Sequence, residues 1–337
     1  MKILFVKRGA LGDVLMTTPL VRQIRQRFPQ AQLDYVIGSS CKSALTGNPR
    51  LNNIISLPDR AFSAAGVGLL LRFIWSIRGK YDHVFILGKN WNINLLFKFA
   101  ASKLTGFARE KISQWLLNSF VIYNDTNRYQ VDYYLDLLTV SKLAQVNYAD
   151  IQMELATTSG DKEVINTFLA KHQLSNFIVV TNSGGNNSFE NSGIRMLPED
   201  KILELLTKLL SIAPVVLLGG SVDAVNYTNY RDKLDNPQNL FLCAGVLTLP
   251  QSVELLKLAD HFYVTDCGSM HLGLAAQIND KMTCFFGPTN PRHILPANFA
   301  GKIVWQDQDV FDPEYQINGK INNSQLEYFK SLDFCHL

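Results

Sequence analysis

The chain has 337 residues, of which 47% are hydrophobic and 18% charged, and it contains 21 glycines and 12 prolines. This composition excludes disordered, collagen-like and coiled-coil proteins and is typical of a folded globular protein. At roughly 100–200 residues per domain, the length favours two domains over one.

The net charge of +3 conceals a marked difference between the two halves of the chain. Residues 1–150 hold 19 Lys and Arg against 9 Asp and Glu, whereas the remaining residues hold 13 against 20. The positive first half indicates an anionic partner, such as a membrane surface, a phosphorylated glycan or nucleic acid. An incidental bias of the surface is the alternative.

The cysteines and the N-terminal sequence indicate the cellular compartment in which the protein is expected. The 5 cysteines are far apart and form no CxxC pair, so we expect neither a disulfide framework nor a zinc site and favour a reducing cytosol. The first residues lack the layout of a signal peptide, and no apolar run approaches the roughly 20 residues that span a bilayer. The most apolar stretch, 61–75, is interrupted by Arg72. We interpret it as a buried helix in preference to one lying on a membrane interface.

The first part of the chain alternates short β-branched runs with helical patterns, as parallel βα units do. Strands are predicted at 3–6, 33–37, 53–57 and 83–87. Helices are predicted at 14–28, 64–78, 92–104 and 131–145. The pattern predicts one doubly wound α/β unit.

A polar passage at 145–161 has no sustained periodicity and is the predicted domain boundary. Beyond it, strands are predicted at 177–181, 215–218, 240–243, 261–265 and 282–286. Helices are predicted at 199–212, 222–234, 250–258, 270–277 and 322–334. This second alternation predicts another Rossmann-like unit, so the expected fold class is α/β with two such units in tandem.

Ligands of an open parallel sheet bind beyond the carboxyl ends of its strands, so the loops that follow strands are the candidate sites. The first such loop, 7–13, contains two glycines that let a ligand approach the backbone, Gly9 and Gly12. Asp13 stands at the start of the next helix, where it either caps the helix or faces the ligand. The loop is not a GxGxxG fingerprint, so a bound dinucleotide is only weakly supported.

Two loops of the second half combine small and polar residues. The loop at 182–188 either suits a phosphate or sugar or is a plain polar loop, and Arg195 downstream of it can pair with phosphate. Gly219 and Gly220 end a strand and precede Asp223. That carboxylate either accepts hydrogen bonds from ribose or is a charge at a helix start.

The loop at 266–272 joins a strand to a helix whose first amide groups, together with Gly268, form a cradle for a diphosphate. The loop at 286–291 follows another strand and faces the same side. His271 lies one turn into the helix, where packing explains it as well as catalysis does. The helix start favours a lowered pKa for Cys267, although no other feature is typical of a thiol enzyme.

In their order and spacing these motifs resemble glycosyltransferase family 9, the ADP-heptose:lipopolysaccharide heptosyltransferases. The resemblance spans nearly the whole chain. The motifs that carry it are 7–14, 105–107, 131–135, 219–220, 266–272 and 286–291.

The resemblance implies the GT-B fold, in which two Rossmann-like domains face each other across a cleft. It implies an acceptor-binding domain at 1–155, a nucleotide-sugar-binding domain at 156–320, and a C-terminal helix at 321–337 that could cross back to the first domain. The implied reaction moves a heptose or a related sugar, with inversion and without a metal or other cofactor, from an ADP-linked donor to a lipopolysaccharide or lipooligosaccharide core. The implied acceptor is lipid A with its core oligosaccharide rather than nucleic acid. The expected location is the cytoplasm, with peripheral contact to the inner membrane.

The resemblance also implies a role for each matching residue. Asp13 corresponds to the general base that takes the proton of the acceptor hydroxyl. The residues implied to bind the donor diphosphate are Arg195, Ser183, Gly184, Cys267, Gly268 and Ser269. Those implied to bind the donor sugar or ribose are Asp223, Asp266, Gly219 and Gly220. Candidates for acceptor binding are Lys7, Arg8, Gly12 and Lys89, and supporting positions are His271 and Thr289.

The chain departs from the family pattern at three motifs. Members often have Asp-Ser/Thr-Gly-Pro where this chain has residues 266–269, Lys-x-Trp-Pro where it has 195–198, and Asp-Leu-Gln-Gly where it has 86–89. These changes bear on the identity of the donor and the acceptor. Two other function classes are weighed: a GT-B-like protein that binds sugar nucleotides without turnover, and an NAD(P)-dependent oxidoreductase. Asp13 argues against the first, and the missing third glycine argues against the second.

Overall fold

The described chain divides into two units, Met1–Ala156 and Thr157–Leu337. The structure is a computed structural model, and it describes residues 1–124, 127–185, 192–305, 329 and 332–334. Each unit is built on one six-stranded parallel sheet flanked by helices. The two α/β units predicted from the sequence are therefore confirmed.

The first unit has a doubly wound sheet. Its strands are β1 (Lys2–Lys7), β2 (Gln32–Gly38), β3 (Asn53–Leu57), β4 (Tyr81–Ile86), β5 (Ala101–Ala108) and β6 (Ser119–Ile122). Their order is β3-β2-β1-β4-β5-β6, and every pair is parallel. Its helices are α1 (Leu11–Leu15), α2 (Thr18–Arg27), α3 (Val67–Ile77), α4 (Trp91–Phe97), α5 (Lys111–Leu116) and α6 (Gln130–Val140).

Side-chain alternation along β1 supplies both faces of this sheet. Leu4 and Val6 belong to the core cluster formed with α3 and α4, because successive strand residues point to opposite faces. Phe5 lies on the other face, where its ring stacks on Tyr35 and Phe85. Right-handed crossovers place α3, α4 and α5 side by side on one face.

A buried arginine helps to tie the passage 145–156 to the helices of the first unit. Arg22, in α2, is 5% exposed. Its Nη2 lies 2.6 Å from Asp150 Oδ1 and its Nη1 lies 3.0 Å from Glu154 Oε1. The same Nη1 donates to Gln152 O at 2.6 Å. The end of the first unit is therefore fastened to its second helix.

The second unit repeats the plan. Its strands are β7 (Ile178–Thr181), β8 (Val215–Gly219), β9 (Leu240–Ala244), β10 (His261–Thr265), β11 (Met282–Phe285) and β12 (Lys302–Val304). The order is β12-β11-β10-β7-β8-β9, again all parallel. Its helices are α7 (Ser159–Lys171), α8 (Glu199–Leu210), α9 (Ala224–Lys233), α10 (Leu249–Leu258), α11 (Gly268–Ala275) and α12 (Pro291–Ile294).

Several elements differ from the sequence-based expectation. The helix predicted at 14–28 is two helices, because the hydroxyls of Thr17 and Thr18 bond back to Val14 O and Leu15 O, each at 2.7 Å. The helix predicted at 92–104 is wrong beyond Phe97, since β5 begins at Ala101.

Six further elements were not predicted, namely α5, α7, α12, β5, β6 and β12. The helix predicted at 322–334 lies mostly outside the described residues. Phe329, Leu332 and Phe334 are described, and they are buried in the core of the second unit with α8.

The apolar stretch 61–75 is only half-buried. It contributes most of α3, whose Leu70, Ile74 and Ile77 face the core, while Trp75 is 75% exposed. Among the described residues, no helix combines the length and the hydropathy that crossing a bilayer would require.

Candidate active site

A cavity of about 270 Å³ lies at the carboxyl end of β1 in the first unit. It brings together four of the predicted residues, Lys7, Arg8, Asp13 and Lys89. The remaining lining residues are Val6, Gly9, Phe62, Gly88, Asn90 and Ile93. The cavity thus combines three cationic side chains with one carboxylate.

Lys7 holds the carboxylate of Asp13. Its Nζ lies 3.0 Å from Asp13 Oδ2, donates to the hydroxyl of Tyr134 at 3.0 Å and donates to Leu87 O at 3.3 Å. The Lys7 side chain is 5% exposed and that of Asp13 is 38% exposed. A buried cation with three fixed partners therefore orients a carboxylate that a ligand can still reach.

Asp13 is not the cap of its helix. The N-cap of α1 is Ala10, without a side-chain cap bond, and Asp13 is the third helical residue. Gly9, the residue before the N-cap Ala10, has φ +155°. A Cβ at Gly9 would lie 2.7 Å from Cys41 Sγ. The close approach of the loop to Cys41 requires a glycine, and this loop course presents Asp13 to the cavity.

Lys89 follows β4 and occupies the same cavity. Its Nζ donates to Tyr123 OH at 2.6 Å and lies 3.9 Å from the centre of that ring. Burial lowers the pKa of Lys89 to about 7; the charge of Asp13 opposes this shift, and the charges of Lys7 and Arg109 add to it. Lys89 is therefore a cation whose charge changes near neutral pH.

In the second unit, hydrogen bonds join the ends of β7 and β10. Ser183 N donates to Thr265 Oγ1 at 3.0 Å, and Thr265 Oγ1 donates to Ser183 O at 2.7 Å. The buried Asn182 fixes the chain that leads to Arg195, since its Oδ1 accepts from Leu197 N at 2.8 Å and its Nδ2 donates to Leu197 O at 3.1 Å. Residues 186–188 of the loop predicted at 182–188 lie outside the described residues.

Asp223 is a buried carboxylate at the end of β8. Its Oδ2 accepts a hydrogen bond from Gly220 N at 2.8 Å. Burial raises its pKa, against hydrogen bonds from the Ser183 side chain and from Gly220 N. A Cβ at Gly219 would lie 2.7 Å from Asp223 Oδ2. Ser183, Gly219, Gly220 and Asp223 are therefore neighbours, as the strand-end rule predicts.

Arg195 lies beside the end of β10. Its Nη1 is 3.7 Å from Asp266 Oδ2, and Asp266 is buried while Arg195 is partly exposed. Residues 267–269 open α11 directly after Asp266. A guanidinium and the first amide groups of a helix thus lie at one strand end, an arrangement that suits an anion.

The expectation of a lowered pKa for Cys267 is wrong. Burial raises the pKa of its thiol to about 12, even though backbone amides of Ser269 and Met270 hydrogen-bond to the sulfur. Cys267 is 6% exposed, so the cost of burying a thiolate exceeds the stabilisation from the helix start. Cys267 is a packed N-cap residue of α11.

The remaining predicted residues are buried. Gly12 is buried within α1, and Gly184 is buried beside Ser183. His271 is buried in α11, and Thr289 is buried with no hydrogen-bond partner for its Oγ1 among the described residues.

Sequence reasoning missed the tyrosines of the first unit as site residues. Tyr134 lies in a motif that was noticed but assigned to helix packing. Tyr123 follows β6, a strand that was not predicted. Among the described residues, no group of three or more His, Cys, Asp or Glu is placed to hold a metal ion.

The model of the family described as "Glycosyltransferase family 9 (heptosyltransferase)" matches residues 70–318. Among curated proteins, the lipopolysaccharide heptosyltransferase 2 of Salmonella typhimurium is 24% identical over 314 residues, which cover 90% of this chain and 88% of that protein.

Two solved structures resemble the fold over most of the chain. A glycosyltransferase of family 9 from Veillonella parvula aligns with a TM-score of 0.73 and 18% identity, over 90% of this chain and 85% of that one. The ADP-heptose lipopolysaccharide heptosyltransferase II of Escherichia coli aligns with a TM-score of 0.71 and 23% identity, over 90% of each chain. The GT-B fold expected from the sequence is confirmed.

Proposed function

The chain belongs to glycosyltransferase family 9, the heptosyltransferases, and on this premise we propose that it transfers a heptose from ADP-heptose to a lipopolysaccharide or lipooligosaccharide core. The lipopolysaccharide heptosyltransferase 2 relatives support both the donor and the acceptor class. Neither a binding protein without turnover nor an oxidoreductase is favoured by these relationships.

The observation that carries the proposal is the oriented carboxylate of Asp13 in a cationic cavity. In the proposed reaction, Asp13 takes the proton of the acceptor hydroxyl as its oxygen bonds to the anomeric carbon of the heptose. The bond from that carbon to the diphosphate breaks, ADP leaves with the electron pair, and the anomeric centre inverts. General bases contribute about 10²–10⁴-fold to such steps.

The donor is proposed to bind the second unit. Arg195 and the amide groups that open α11 supply positive electrostatics for the departing diphosphate, with no metal cofactor in the proposed scheme. Asp223, Gly219 and Gly220 are proposed to meet the ribose or the sugar. The heptose itself would lie near Asp266, while Ser183, Gly184 and residues 267–269 enclose the phosphates.

The acceptor is proposed to bind the first unit. Arg8 and Lys89, which line the Asp13 cavity, suit the phosphate groups of a lipid A core. Such an acceptor is held in a bilayer, so the protein would work in the cytoplasm with peripheral contact to the inner membrane.

The test is a transfer assay with ADP-heptose and truncated core acceptors, following ADP release and the mass of the glycan. Asp13→Asn should lower kcat by about 10²–10⁴-fold, since the acceptor proton loses its base. The affinity for ADP should stay within a few-fold, because Asp13 belongs to the proposed acceptor unit. The matched control is Asp82→Asn. Asp82 is exposed near the amino end of β4, away from the cavity at the carboxyl ends of the strands, so its substitution should leave turnover unchanged.

Two results would count against these assignments. Residual turnover of Asp13→Asn within tenfold of the parent would remove Asp13 from the role of base. Absence of ADP release by the parent protein with every donor and acceptor pair would refute the transferase proposal itself.

A further inference from the structure

Large apolar side chains cluster on the outside of the first unit. Trp75 on α3 is 75% exposed, Phe99 just after α4 is 67% exposed, and Trp115 on α5 is 84% exposed. Nine of the 19 large apolar side chains that are exposed in the described residues fall within 67–115. Single exposed apolar residues are ordinary, but a concentration of this kind marks an interaction surface.

The helices that carry these side chains are neighbours. α3 packs on α4, and α4 packs on α5. Their inner sides hold Leu70, Ile74 and Phe97 in the core beside β1 and β4. We call their exposed sides, together with Phe99, the outer helical face. Its large apolar members are Val67, Leu69, Leu71, Trp75, Trp91, Leu95, Phe99, Ile112 and Trp115.

The outer helical face lies in the most basic part of the chain. Residues 60–122 contain nine Lys and Arg but only two Asp and Glu. Arg72 is exposed on α3, Lys111 is exposed on α5, and the guanidinium of Arg78 lies 5.5 Å from the Trp75 ring centre. Apolar and tryptophan side chains interleaved with cations match a bilayer surface whose headgroups are negative.

We propose that the outer helical face docks on an anionic phospholipid bilayer, with Trp75, Phe99 and Trp115 entering the headgroup region. A second copy of the chain fits this face less well, because an isologous contact would bring its positive charges against each other. A bilayer also accepts apolar side chains that project from three separate helices, without needing a groove of defined shape.

The proposal connects the membrane to the cavity of Asp13. Asn90 and Ile93, at the start of α4, line that cavity, while Leu95 and Phe99, further along, belong to the outer helical face. One helix therefore borders both the bilayer and the cavity. In this respect the inference rests on the proposed function, since it explains how a lipid-held acceptor arrives beside Asp13.

Intrinsic fluorescence reports the docking directly. Three of the four tryptophans, Trp75, Trp91 and Trp115, belong to the outer helical face, whereas Trp305 in the second unit donates to Gly287 O at 3.2 Å. Mixing the full chain with phosphatidylglycerol and phosphatidylethanolamine vesicles should shift the emission to the blue. Phosphatidylcholine vesicles should bind at least tenfold more weakly, and added salt should weaken binding to the anionic vesicles.

Paired substitutions test the surface. Trp75→Ser with Trp115→Ser should weaken binding in vesicle co-sedimentation by at least tenfold, and Arg72→Glu with Lys111→Glu should remove the preference for anionic vesicles. The matched control is Val225→Ser with Val246→Ser, which alters two exposed apolar residues of the second unit and should leave binding unchanged. All these positions are exposed, and circular dichroism verifies that each variant folds.

Three results would overturn the docking proposal. They are the absence of binding to anionic vesicles, undiminished binding of the double tryptophan variant, and a dimer in solution that the tryptophan substitutions dissociate without any vesicle binding by the parent.

Transfer assays separate this inference from the proposed function. The double tryptophan variant should use a water-soluble truncated acceptor within twofold of the parent and a vesicle-embedded acceptor at least tenfold more slowly. Equal loss with both acceptors would count against docking. If the parent transfers to neither acceptor, the proposed function fails, while vesicle binding still decides the surface.

Discussion

Asp13 and Lys89 share one cavity but have different kinds of support. Asp13 is held by the buried Lys7, whose other partners, Tyr134 OH and Leu87 O, come from elements far along the chain. Lys89 lies against the face and the hydroxyl of Tyr123. The first arrangement fixes a carboxylate, whereas burial of Lys89 lowers the pKa of its ammonium group to about 7.

The lowered pKa of Lys89 predicts how acceptor binding changes with pH. With a pKa of about 7, the charged fraction of Lys89 falls from roughly 90% to roughly 10% between pH 6 and pH 8. KM for a phosphorylated core acceptor should therefore rise over this interval. Lys89→Arg keeps its charge, so its KM should rise less over the same interval than that of the parent.

Steady-state kinetics of the two proteins at several pH values make the comparison. Because ionisation of the acceptor phosphates affects both proteins alike, the difference between them isolates the lysine. An identical rise of KM in both proteins would show that the charge of Lys89 does not contact the acceptor.

For individual residues, the sequence predicts which side chains lie at the site better than it predicts the side chains that support them. Lys7, Asp13 and Lys89 are found because each lies at or beyond the carboxyl end of a parallel strand. The tyrosines that support them lie just after β6 and in α6, and local patterns carry no information on which distant side chains meet. The same limit explains Cys267, since its burial depends on packing that the helix-start rule ignores.

Among the elements, α7 shows a signal that was present but not recognised. Thr158 Oγ1 accepts from Asp161 N at 3.2 Å, and Asp161 Oδ2 accepts from Thr158 N at 2.9 Å, so the helix begins with a capping box. Thr-x-x-Asp is the sequence form of that box. The motif falls within the polar passage at 145–161, which was predicted as a domain boundary and not as a helix start.

Thr158→Ala should lower the free energy of unfolding of the second unit by about 1 kcal/mol, because the first turn of α7 loses its cap. Urea denaturation followed by circular dichroism measures the change. Thr228→Ala is the control: its hydroxyl bonds to Ala224 O within α9, and its loss should cost less than about 0.5 kcal/mol. Equal effects of the two substitutions would contradict a capping role.

The strand β5 was not predicted because its side chains are weak strand signals. β5 reads Ala-Ser-Lys-Leu-Thr-Gly-Phe-Ala, with a single β-branched residue. Gly106 suits this strand, since a Cβ there would make a tight contact of 3.1 Å with Ile86 O. Strands such as β1 and β10, with buried apolar residues, were predicted correctly because burial and local preference agree.

The molecule as a whole consists of two units that each complete their own sheet and core. Alternation of strand and helix patterns was enough to predict this arrangement and its fold class. The cleft between the units and the crossing of the C-terminal helix stay predictions, because sequence periodicity describes each unit separately.

The proposed assignment of the donor to the second unit and the acceptor to the first predicts where ADP binds. ADP should protect backbone amides from hydrogen exchange at the ends of β7, β8 and β10 and at the start of α11, while the amides of 7–13 stay unchanged. At 100 times its Kd, ADP should add about 2.7 kcal/mol to the stability of the unit that binds it. Arg195→Ala should weaken ADP binding by roughly tenfold or more, as expected for loss of a charged contact.

Hydrogen exchange measured by mass spectrometry with and without ADP shows which amides of each unit the nucleotide protects. Protection confined to 7–13 would place the nucleotide in the first unit and contradict the proposed donor site. Unchanged ADP affinity of Arg195→Ala would remove that residue from the diphosphate contact.

The anchoring of Arg22 also decides how the two halves can be recombined. Its counter-charges, Asp150 and Glu154, stand at the last turn of chain before the second unit begins. A hybrid with the second half of another heptosyltransferase keeps them if the junction follows Ala156. A junction placed before Asp150 removes both carboxylates. If the incoming segment has no acidic residue at these positions, the guanidinium stays buried and unpaired, which should destabilise the first unit by about 3–5 kcal/mol.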